Sequence, residues 1–95
     1  MSAYMIAEIE VTDPAAYEDY RKQVPGVVAK YKGKFIVRGG RIESMEGGWA
    51  PKRMVVVEFP SMDQALKFYR SPEYRPLIAL RQSASKGKLI IVEGT

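Results

Sequence analysis

Two sets of side chains in this 95-residue chain are of types that can do chemistry. The first is Glu8, Arg38 and Glu58, a cation on one predicted strand and a carboxylate on each of two others. An arginine facing those carboxylates can fix strand register or a subunit contact as a buried ion pair, because buried charges need partners. In a pocket, the same three side chains can receive the polar end of a small molecule at Arg38 while a carboxylate with a raised pKa moves a proton. The second set is Tyr69, Ser71, Tyr74 and Arg81, within and just after the segment FYRSPEY. Ser71 reads as a helix cap and Tyr69 as core, whereas Tyr74 and Arg81 are placed to line a pocket mouth, since a helix break leaves side chains and free amides at an edge. Trp49, in the glycine-flanked loop EGGWAPK, reads either as a cover over the pocket or a neighbouring subunit, or as an exposed loop residue. These eight residues are the candidate pocket. No catalytic residue is assigned among them.

What the chain lacks narrows the chemistry. With no histidine and no cysteine, the common zinc, copper and haem ligand sets are missing, as are Ser-His-Asp triads and thiol nucleophiles. No acidic loop of the D-x-D-x-D-G type occurs either, so no metal and no cofactor is expected. The net charge of +4 comes from 15 basic and 11 acidic residues spread along the chain without a basic block, which describes a solvated mixed surface and no nucleic-acid partner. No apolar run approaches the roughly 20 residues that cross a bilayer, so no membrane association is expected. Glu8 and Glu10 interrupt the N-terminal apolar run, which argues against a signal peptide, and the absence of cysteine fits a cytoplasmic location.

The elements that must position these residues follow from periodicity. Ala3 to Val11 alternates, with Met5, Ala7, Ile9 and Val11 on one face, and reads as a strand. Asp13-Pro14 starts a helix on whose stripe Tyr17, Tyr20, Val24, Val27, Val28 and Tyr31 recur. Pro25-Gly26 predicts a kink or restart near Val24, and Gly33 the helix end. Lys34 to Arg38 is a second strand, bent or bulged at Gly39-Gly40. Arg53 to Phe59 is a third, with Val55, Val57 and Phe59 on one face and Met54, Val56 and Glu58 on the other. Ser61 to Gln64 is a capping-box start to a short helix, Ser71-Pro72 a break and new cap before a further helical piece, and Lys86-Gly87 a turn into a final strand, Lys88 to Glu93.

Strand, helix, strand, strand, helix, strand is the ferredoxin-like βαββαβ plan, an α+β fold with a four-stranded antiparallel sheet and its helices on one face. One domain spanning residues 1–95 is expected, and a chain this short buries only about 60 to 65% of its unfolded surface. The valine-rich third strand is ill suited to open water on the bare face, so a homodimer through that face, enclosing a barrel-like interior, is expected. Packing Val55, Val57 and Phe59 on the helices places Glu58 beside Glu8 and within reach of Arg38, with all three charges on the cleft side.

FIVRGG, VVVEFPS, FYRSPEY and LIIVEG, in that order over almost the whole chain, resemble the DUF1330 proteins. The resemblance implies a small dimeric α+β barrel and brings no established reaction. The wider superfamily that it resembles holds monooxygenases of polycyclic aromatics, haem-dependent dye-decolourising enzymes and muconolactone isomerases, and this chain lacks the histidine that the haem members use. The expected function is binding or transformation of a small, partly apolar molecule in a cleft at the sheet face of a homodimer. The alternative is a non-catalytic structural or regulatory dimer in which the charged cluster is a structural ion pair.

Overall fold

The computed structural model describes residues 1–95. Its elements run β1 (Ala3–Val11), α1 (Pro14–Lys30), β2 (Lys34–Arg38), β3 (Arg53–Phe59), α2 (Met62–Tyr69), α3 (Arg75–Ala84) and β4 (Ser85–Glu93). The strands form one antiparallel sheet in the order β2-β3-β1-β4, and the chain has the ferredoxin-like α+β fold. No helix is long and apolar enough to cross a membrane.

Alternation along the strands decides what is covered. Ala3, Met5, Ala7 and Ile9 of β1 and Val55, Val57 and Phe59 of β3 are buried against Tyr17, Tyr20, Val24 and Val28 of α1, Ala65 and Phe68 of α2, and Leu77 and Ala84 of α3. This agrees with the faces expected from the sequence. The opposite face carries no helix and exposes Ile36, Val37, Ile90 and Val92.

Asp13 caps α1 by accepting a hydrogen bond from the Ala16 amide at 3.2 Å. Of the kink or restart expected near Val24, the restart does not occur, for α1 is one continuous helix through Pro25. Proline has no amide hydrogen, so it leaves the carbonyl of Arg21, four residues earlier, without its helical partner. Arg38 Nη2 donates to that oxygen at 2.8 Å, and the strand thereby repairs the gap in the helix. The helix closes on Lys32, which takes the left-handed conformation at φ 66°, rather than on Gly33. Ser61 caps α2 as expected, accepting from the Gln64 amide at 3.1 Å, but only half the capping box forms. The Gln64 side chain instead donates to the free Tyr31 carbonyl at the end of α1.

Two strand features also depart from expectation. The bulge in β2 lies between Phe35 and Val37, ahead of the Gly39-Gly40 pair. β4 begins at Ser85, directly after α3, so Gly87 sits inside the strand opposite Ile9 instead of in a turn. A Cβ there would lie 2.0 Å from the Glu8 carbonyl oxygen, so the close approach of β1 requires glycine.

Candidate functional site

The bulge in β2 determines the site. In a regular strand Arg38 would share a face with Lys34 and Ile36, and both of those are exposed. The extra residue between Phe35 and Val37 resets the alternation: Phe35 lies opposite Val57, Val37 opposite Val56 and Arg38 opposite Val55. Arg38 therefore points to the helix-covered side, with its guanidinium 4.5 Å from the centre of the Phe35 ring.

The expected cluster of Glu8, Arg38 and Glu58 is thereby divided by the sheet. Glu58 stays on the bare face, where it accepts from the Tyr4 hydroxyl at 3.2 Å and lies 3.9 Å from Lys34 Nζ. Glu8 shares that face, but β1 pairs Tyr4 with Glu58 and Glu8 with Met54, so the two carboxylates stand four positions apart, roughly 13 Å along the strands. Trp49 joins Glu8 there, donating from Nε1 to Oε1 at 3.0 Å while remaining 61% exposed. With Ile6, Met54, Lys88 and Ile90 they border a shallow hollow on the bare face.

The second set meets behind the sheet. Ser71 is buried in the turn between α2 and α3, accepting from the Tyr74 amide at 3.1 Å and donating to the Phe68 carbonyl at 2.7 Å; Tyr74, with no side-chain cap, takes the N-cap position of α3 that the sequence suggested for Ser71. Tyr69 is half-buried, edge-on to Tyr74. Tyr74 is 0% exposed and does not line a pocket mouth; its ring stacks on Phe68 with centroids 4.3 Å apart. Its hydroxyl accepts from Arg81 Nη1 at 2.9 Å and pairs with the Tyr20 hydroxyl at 2.8 Å. Burial pushes the pKa of both tyrosines up, so both are neutral hydroxyls at physiological pH. Arg81, also expected at the mouth, is only 8% exposed and lines the cleft from within.

Between α1 and the covered face of the sheet runs a narrow cleft. Its walls are apolar, from Met5, Ala7, Val24, Val55 and Leu89, with Tyr17 and Tyr20 from α1. Side chains nearly fill it, leaving room for roughly one water. Four arginines line it, Arg21, Arg38, Arg53 and Arg81, and no carboxylate does. Arg53 packs over the Tyr17 ring at 5.6 Å and against Gly39, where a Cβ would fall 2.1 Å from its guanidinium. Gly39 has φ 73°, so the backbone calls for glycine at the end of β2. Burial, and then the charges of Arg21 and Arg53, lower the proton affinity of Arg38.

Arg53 and Arg21 escaped the sequence reading although both carried a signal. Arg53 continues the alternation of Val55, Val57 and Phe59, and Arg21 lies on the helical stripe between Tyr17 and Val24. A charge on a covered face is the mark that was passed over. No group of three or more acidic, histidine or cysteine side chains is gathered to hold a metal ion.

The profile of the family described as "Domain of unknown function (DUF1330)" matches residues 2–95. No protein of curated function matches the chain. Among solved structures, it is similar to RPA0582 from Rhodopseudomonas palustris, a protein of unknown function, with a TM-score of 0.79 at 20% identity over 99% of this chain and 82% of that one. It is also similar to SnoaB, a cofactor-independent oxygenase from Streptomyces nogalater, with a TM-score of 0.71 at 13% identity over 99% and 93% of the two chains. A third similar structure is a dimeric protein of unknown function and ferredoxin-like fold from Bacteroides fragilis, at TM-score 0.65 and 12% identity, covering 98% and 96%.

Proposed function

We propose that this chain, which belongs to the DUF1330 family, binds a small, partly apolar molecule in the cleft between α1 and the covered sheet face, as a homodimer joined through the bare face. The observation that carries the reading is the β2 bulge, which turns Arg38 from the bare face to the mouth of an apolar cleft, where one of its donors serves the Arg21 carbonyl and the others have no partner in the chain. The cleft offers cations and neutral tyrosine hydroxyls but no carboxylate, histidine or thiol to act as a general base. Binding is therefore the reading, and no reaction is assigned. The dimer is supported by Ile36, Val37, Ile90 and Val92, which lie exposed on one sheet face, and by the dimeric state of the Bacteroides fragilis protein of similar fold.

The alternative, a structural or regulatory dimer without a ligand, is favoured by one observation: side chains fill the cleft to within roughly one water. Backbone amide spectra recorded against a library of small aromatic and aliphatic molecules separate the two. Ligand binding shifts the amides of Val24, Val55 and Leu89. A library that moves none of them, or moves only Ile6, Val56 and Ile90, leaves the structural dimer as the better account.

A further inference from the structure

We infer that the ligand of this cleft is an organic acid, its carboxylate held by Arg38 and Arg53 at the mouth and its apolar body entering by parting the side chains of Val24, Val55 and Tyr17 that otherwise fill the cleft; the inference rests on the cleft being a binding site. The ion pairs of the chain are those of Arg21, Lys30, Lys34 and Arg41, so Arg38, Arg53 and Arg81 all lack a carboxylate partner. All three line the one cleft. Arg53 Nε is buried with no hydrogen-bond acceptor, a donor that the protein itself leaves unused. The backbone carbonyl of Arg21 takes one Arg38 donor, out of the five that a guanidinium carries.

Bringing cations together beside apolar walls is unfavourable unless something neutralises them. Glu18, the acid beside Arg21 at 3.8 Å, stands on the outer face of α1 with both side chains about half exposed, and it does not line the cleft. No acid of the chain supplies that charge within the cleft, and an anion entering at the partly exposed Arg38 can supply it. A carboxylate suits the planar donor fork of arginine better than a neutral polar group does, because both its oxygens accept charge-assisted hydrogen bonds. Arg81 adds a further cation within the same cleft, held by the Tyr74 hydroxyl.

The test compares phenylacetate with phenylacetamide, which share shape and differ in charge, by amide shifts and by titration calorimetry of the full chain. Phenylacetate is expected to bind at least about tenfold more tightly, the ratio corresponding to one charge-assisted bond. Its affinity should fall with added chloride and drop by about as much again in Arg53→Met, whose fold is checked by circular dichroism. Arg38→Met provides the second variant should Arg53→Met unfold. Equal binding of acid and amide at the cleft amides overturns the charge assignment and leaves cleft binding standing. Phenylacetate that shifts only amides near Lys34 and Lys88, or is unaffected by both arginine variants, also overturns it. If neither compound moves a cleft amide while other members of the library do, the acid preference is wrong; if no compound does, the binding reading falls with it.

Discussion

The two faces of the sheet use the same strands for opposite electrostatic ends. On the bare face the carboxylates Glu58 and Glu8 have company: Glu58 has Lys34 and Tyr4, and Glu8 has Trp49. On the covered face Arg38, Arg53 and Arg81 sit among apolar side chains with no acid. For Arg38 the difference comes from one residue of bulge in β2, without which it would have joined Glu58 on the open side; Arg53 is there by the alternation of β3 and Arg81 by its place in α3. Paired charges around exposed apolar side chains describe a surface that another subunit can cover. Unpaired cations in a cleft describe a place for a small anion.

The contrast breaks most completely if the bare face is not an interface. Val56→Glu combined with Ile90→Glu puts like charges at the centre of the proposed contact, and a dimer of twice 10.7 kDa should become a monomer of 10.7 kDa by sedimentation. A wild-type chain that is already monomeric at micromolar concentration would remove the reason for the exposed valines and isoleucines.

Next in size is the buried hydroxyl behind the cleft. Tyr74→Phe keeps the ring on Phe68 but strips Arg81 and Tyr20 of their partner, and should cost about 1 to 3 kcal/mol in urea unfolding. Tyr4→Phe, which removes only the half-buried bond to Glu58 on the other face, should cost less than about 1 kcal/mol. Equal losses would mean that the two faces do not differ in how much their polar groups depend on partners.

A smaller effect probes the contact between Arg38 and α1. Arg38→Met should destabilise by about 1 kcal/mol, because it leaves the Arg21 carbonyl unpaired within a helix that Pro25 has already interrupted. In a Pro25→Ala background the restored amide can take that carbonyl, and the same arginine change should then cost less. Additive losses in the double-mutant cycle would show that the arginine does not substitute for the proline's missing donor.

How much of this was legible in the sequence depends on the range of the signal. The alternation of Met5, Ala7 and Ile9 and of Val55, Val57 and Phe59 gave both strand faces, and Asp13 and Ser61 gave two caps, because each depends on neighbours within a few residues. The bulge was expected at Gly39-Gly40, where the backbone is free, but it formed at Phe35–Val37, where pairing to β3 is decided across the sheet. Period-two reading carried straight through it and placed Arg38 on the wrong side. Pro25 was read as a break because the donor that compensates for it comes from a strand 13 residues further on. Tyr74 went into the core rather than to an edge because stacking on Phe68 and bonds to Tyr20 and Arg81 outweigh the exposure of a loop position.

The smallest effect concerns Glu58, the carboxylate that sequence reasoning set against Arg38. Its side chain is 31% exposed, its lysine partner is 3.9 Å away and 73% exposed, and its tyrosine partner can also bond to a neutral amide. Surface pairs of this kind contribute from nothing to about 1 kcal/mol, so Glu58→Gln should change the unfolding free energy by less than about 0.5 kcal/mol. It should leave the cleft amides of Val24, Val55 and Leu89 where they are. Arg53→Met, by contrast, should move them, because Arg53 lines the same cleft. A large loss in Glu58→Gln, or a shift of those amides, would mean that Glu58 and Arg38 are coupled through the sheet after all. The division of charge between the two faces would then be a feature of side-chain direction alone and not of energy.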